Sequence, residues 1–208
     1  MRDRITGTLL GLSGLLFIAA VTNPAVVSTF DDSMAEAMAA YGRHPQAWLW
    51  STWLLIVSVV AGLVGIAMLA RRIGSEVAFI GLVIYAVGST LILAGETFEV
   101  AVSYPLIGAS SLPEWYLGVE PWADGLATAY FALLAPVAMA CLGVEILRLR
   151  SLPRWTGVVL LVATAALLGQ FISFHGALPF PQFLAFVALG VALNVSAARK
   201  PTRIREES

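Results

Sequence analysis

The chain has 208 residues, of which 59% are hydrophobic and only 12% charged, with a net charge of −1. A soluble domain carries about 25% charged residues, so too little polar surface remains here to coat a water-soluble particle. Cys141 is the only cysteine, which excludes an intramolecular disulfide and any cysteine-based metal or redox motif. No basic tract interleaved with aromatics points to nucleic acid.

A membrane-spanning helix needs about 20 mostly apolar residues. Six segments meet or nearly meet that length: Ile5–Thr22, Trp48–Ala70, Val77–Glu96, Gly125–Ile146, Trp155–Phe174 and Leu178–Ala197. The first has the basic start and apolar middle of a signal peptide. No small-x-small cleavage site follows it, and Asn23-Pro24 interrupts the region, so a retained helix is expected. Between the first two segments, Ser33-Met-Ala-Glu36 reads as a capping box that opens a short amphipathic helix, with Gly42 as its stop. The connection from Thr97 to Ala123 is punctuated by Pro105, Pro113 and Pro121. Its Trp115, Tyr116 and Trp122 suit the headgroup region, so it is expected to lie on the membrane. Pro136 falls inside the fourth segment and predicts a kink that frees a backbone carbonyl.

Charge fixes the expected orientation. Every lysine and arginine except Arg43 falls before the first segment, between the second and third, between the fourth and fifth, or after the sixth. Positive loops stay in the cytoplasm. The expected fold is therefore an all-α bundle of six transmembrane helices in the cell membrane, with both termini cytoplasmic. Residues 1–198 form one transmembrane domain, and residues 199–208 a disordered cytoplasmic tail. Asp31, Asp32, Glu36, Glu96, Glu99, Glu114, Glu120 and Asp124 then all belong to the outer side. Glu145 and Arg148, three apart at the inner side, predict a structural ion pair.

The residues that could carry chemistry cluster on the same outer side. Glu96 and Glu99 share a helix face. An ionisable group at the edge of the hydrocarbon usually turns inward to a partner or a water-filled cavity. Glu96, Glu99 and His175 are the candidate catalytic groups, with Glu96 as the leading acid. His44, Asp124, Gln170, Trp48, Phe98 and Phe171 are candidate ligand-binding residues. Acids among aromatic rings suit an apolar substrate such as a lipid or isoprenoid, whose developing positive charge the ring faces would stabilise. His44 and His175 on different helices could hold a haem. No His-Glu-x-x-His or other tight ligand spacing points to a metal. No cofactor follows from the residues. The partners expected are the bilayer, an apolar small molecule, and a membrane protein or second copy of the chain. Two alternative functions stand beside the pocket: a non-catalytic scaffold or accessory subunit, and a small transporter or channel. The transporter would want polar groups at the midplane, where only Ser58, Ser89, Thr90, Thr164 and Pro136 are offered.

Overall fold

A computed structural model of the protein describes residues 2–23, 34–109, 111–174 and 179–198. Helices make up the fold, and no strand occurs among the described residues. In chain order they are α1 (Arg2–Val21), α2 (Met34–Arg43), α3 (Pro45–Ile73), α4 (Glu76–Phe98), α5 (Glu114–Ala129), α6 (Ala135–Leu149), α7 (Arg154–Phe174) and α8 (Phe180–Ala198). A wide π turn, Glu99–Ser103, and a 3₁₀ turn, Tyr104–Leu106, prolong α4, and a second π turn, Tyr130–Leu134, joins α5 to α6.

Six of these stretches are long and apolar enough to cross a membrane: Asp3–Val21, Pro45–Ile73, Glu76–Leu106, Glu114–Leu149, Arg154–Ser173 and Phe180–Ala198. The chain is thus compatible with a multi-pass membrane protein. Two boundaries differ from the sequence expectation. The third span continues past Glu96 to Leu106. The fourth begins at Glu114, so most of the connection expected to lie on the membrane is helix running into the span. A ten-residue helix covers Met34–Arg43, continuing through Gly42. Ser33, the residue expected to cap it, lies outside the described residues, as does the tail from residue 199.

Small residues let the helices approach closely, as they must where lipid supplies no hydrophobic drive for helix association. α1 lies antiparallel between α3 and α8. A Cβ on Gly190 would stand 2.7 Å from the Gly7 carbonyl oxygen, and one on Gly65 would stand 2.8 Å from Leu10. Gly143 and Gly157 bring α6 and α7 together in the same way. The connections at one end are tight. Gly74, at φ 71°, closes α3 by donating its N–H to the Ala70 carbonyl, and the Ser75 hydroxyl then caps α4 by accepting from the Ala78 N–H at 3.1 Å. At the same end Asp3 pairs with Arg72 at 3.1 Å, and Glu145 pairs with Arg148 at 3.0 Å. The core of this half is built on Leu10, Ile66, Leu69, Met139, Leu142 and Ile146, with Thr6, Glu145 and Thr156 also buried.

Candidate functional site

The other half of the bundle is where polar groups gather. On α4 and its continuation, Tyr85, Ser89, Ile92, Glu96, Glu99 and Ser103 recur at intervals of four and three, which places them on one face. The first three and Ser103 are buried, and the two glutamates are half-buried. Glu96 and Glu99 are close enough for the charge of one to act on the other. The face expected to carry both acids therefore belongs to the inward side of the helix rather than to open water.

Aromatic rings wall this end. Phe98 stacks on Tyr116 at 6.0 Å, and the Tyr116 hydroxyl donates to the Ser103 hydroxyl at 2.9 Å. Trp48 is buried and stacks on Tyr104 at 6.0 Å, with the Tyr41 ring tilted against Trp48 at 5.4 Å. Gln46 donates its side-chain N–H to the Tyr104 hydroxyl at 3.2 Å. Gly42 of α2 packs against the backbone of Gly108, a residue at φ 81°, so α2 and the turn after α4 meet over this end.

Of the remaining expected residues, His44, Gln170 and Phe171 are described in full. His44 is exposed at the start of α3. Gln170 is half-buried in α7, its side-chain oxygen enclosed and without a hydrogen-bond partner among the described residues. Phe171 beside it is 37% exposed. Asp124 lies in α5 with its side chain outside the described residues, and His175 is itself outside them. Among the described residues no group of three His, Cys, Asp or Glu side chains is placed to hold a metal ion.

Deeper in the bundle is a polar cluster that sequence reasoning passed over. Tyr85 of α4, Tyr130 of the second π turn and Gln182 of α8 are all fully buried. The Tyr130 hydroxyl donates to the Tyr85 hydroxyl at 2.8 Å. The Gln182 amide donates to Tyr130 at 2.8 Å and to Tyr85 at 3.2 Å. Ser89 borders Tyr130. Ser13 of α1 approaches from the opposite side: a Cβ on Gly62 would stand 2.8 Å from the Ser13 hydroxyl and 3.1 Å from that of Tyr85. The Ser58 hydroxyl donates to the Ser13 carbonyl at 2.7 Å. Phe183 and Phe186 flank the cluster, with Phe186 6.0 Å from Tyr85 and Phe17 stacked on Phe183 at 3.8 Å.

The members of this cluster come from different helices, each from a mostly apolar stretch. Tyr130 reads from sequence as one more interfacial aromatic, and Gln182 as part of a helix start. The usable signal was Gln182, because an amide inside a spanning segment seeks a partner from another helix. Comparison of the chain with protein-family models, with curated proteins and with solved structures returns no match.

Proposed function

We propose that the chain is a multi-pass protein of the cell membrane, with both termini cytoplasmic. Its helix bundle holds an apolar, lipid-like ligand, such as an isoprenoid, that enters from the outer face. Glu96 is the leading acidic group of that pocket and Glu99 its neighbour. Trp48 and Phe98 belong to the aromatic surroundings.

One observation carries the reading. The polar face of α4 runs inward and lengthwise, from Glu99 and Glu96 down to Tyr85, with aromatic rings beside it. A scaffold needs no such face, and its outer carboxylates would point separately into water. A transporter would need polar groups on both sides of the midplane. Below Ser13 on α1 the next buried polar residue is Thr6, about 10 Å of helix rise away. Leu10, Ile66 and Leu69, all fully buried, occupy that interval. This favours a pocket open to one face over a path across the membrane.

The test is the melting temperature of the purified protein and of Glu96→Gln, each with lipids, isoprenoids and divalent metals in turn. A ligand that binds only the folded state raises the melting temperature by mass action. A compound that stabilises the wild type and loses its effect in Glu96→Gln supports the pocket. The absence of any stabilising compound, with the variant unchanged, would return Glu96 to the role of a solvated interfacial residue.

A further inference from the structure

The hydrogen bonds of the central cluster leave a defined remainder. Three bonds join Tyr85, Tyr130 and Gln182. They use both amide protons and one hydroxyl proton. Two phenols and one carboxamide together offer four protons and an amide oxygen. One phenol proton therefore has no acceptor among these three side chains. The Gln182 Oε1 atom is buried and has no hydrogen-bond partner among the described residues, and the same holds for the Ser13 hydroxyl. Turning the amide over exchanges which of its atoms is left but still leaves one. Buried polar atoms are nearly always satisfied, and an orphan points to an unseen partner.

The chemistry of that partner follows from the remainder. With the amide as oriented, it donates to an amide oxygen and accepts from a phenol, and with the amide turned over it accepts from the amide N–H instead; one hydroxyl oxygen serves in either case. It must also be neutral. Along α4 the nearest charged side chains are Glu76 and Glu96, about 14 and 16 Å of rise from Tyr85, so an ion would be buried without a counter-charge. The absence of a side chain at Gly62 lets the Ser13 and Tyr85 hydroxyls approach its backbone from two sides, where a Cβ would stand 2.8 and 3.1 Å from them. We propose that Gln182, Tyr85 and Ser13 form a binding site for a neutral hydroxyl group, supplied either by the terminal alcohol of an amphiphile or by an ordered water. The amphiphile arm rests on the pocket proposed above, and the water arm stands without it.

The probes are geranylgeraniol, its methyl ether, which cannot donate a hydrogen bond, and water itself. For the wild type, the expected result is a melting temperature that rises with geranylgeraniol and not with the ether. Gln182→Leu and Tyr85→Phe should each weaken the apparent affinity about tenfold, the usual worth of one hydrogen bond. Tyr85→Phe is the milder change and keeps the test valid if Gln182→Leu folds poorly. In parallel, water-to-protein magnetisation transfer is read at the glutamine side chains by solid-state NMR, with the Gln182 signal assigned through its loss in Gln182→Leu. An alcohol-specific shift that is lost in both variants assigns the hydroxyl to an amphiphile. No preference for the alcohol, together with water transfer at Gln182, assigns it to water. Neither signal overturns the site. Stabilisation by a lipid that is lost in Glu96→Gln but kept in Tyr85→Phe, with no water signal, overturns this site and leaves the pocket standing. Water transfer with no stabilising lipid does the reverse.

Discussion

Glycines at helix contacts and glycines in open space should respond in opposite directions to the same methyl group. At Gly190 a Cβ would meet backbone atoms of Gly7 and Gly11 at 2.7 and 2.8 Å, none of which can rotate away. Gly190→Ala should therefore push α1 and α8 apart and lower stability by about 1–3 kcal/mol, the cost of overpacking. At Gly118, inside α5, a Cβ would meet nothing within 4 Å. Gly118→Ala should leave stability unchanged or raise it by up to about 1 kcal/mol, the helix-propensity difference. Thermal unfolding of the two variants in one detergent checks both signs. The same scale shows what the sequence could reveal of the site. Glu96 and Glu99 announce themselves, because a charged residue at the end of an apolar run is conspicuous and a spacing of three fixes their shared face. Tyr85, Tyr130 and Gln182 do not, because their meaning lies in the convergence of three helices more than 40 residues apart. No local pattern encodes that convergence.

Among the elements, the two π turns share a cause. Each is closed by a hydrogen bond from the residue before a proline: Tyr104 donates its N–H to the Glu99 carbonyl ahead of Pro105, and Ala135 donates to the Tyr130 carbonyl ahead of Pro136. A proline ring clashes with the carbonyl four residues back and supplies no donor for it. Widening the preceding turn by one residue relieves both problems, and such turns recur at functional sites. Here the widening at Pro136 sets the angle at which Tyr130 enters the central cluster. The Pro136 carbonyl is held from the neighbouring helix, since the Thr164 hydroxyl of α7 reaches it at 3.2 Å while bonding the Leu160 carbonyl at 2.9 Å. Thr164→Val keeps the shape and removes the donor. It should lower the unfolding free energy by about 1 kcal/mol, as interhelical hydrogen bonds in membranes typically do, and denaturant titration of the two proteins measures it. From sequence, the break at Pro136 was legible because proline acts locally. The run of helix from Glu114 into the fourth span was not. Its prolines and tryptophans suggested a surface loop, yet Pro113 stands just ahead of the helix, and α5 carries Pro121 in its interior.

For the whole molecule, the number of spanning stretches was the most legible feature, since each is decided by its own apolar length without reference to the others. Orientation rests on the arginine pattern and is open to a direct check. With Cys141→Ala as background, an impermeant thiol reagent applied to intact cells should label His44→Cys and spare Pro153→Cys, both exposed positions. The opposite labelling would invert the proposed topology and with it the side from which the pocket opens. The close contact of α1 with α8 has a further consequence, for biogenesis. Gly7 and Gly190 lie roughly 180 residues apart, and synthesis proceeds at about 5–20 residues per second. The glycine face of α1 must then wait about 10–40 s for its partner. The hairpins α3–α4 and α6–α7, closed by short turns, can assemble during that interval because their contacts are local. Until α8 arrives, the nascent bundle stands in the bilayer with a cleft along α1.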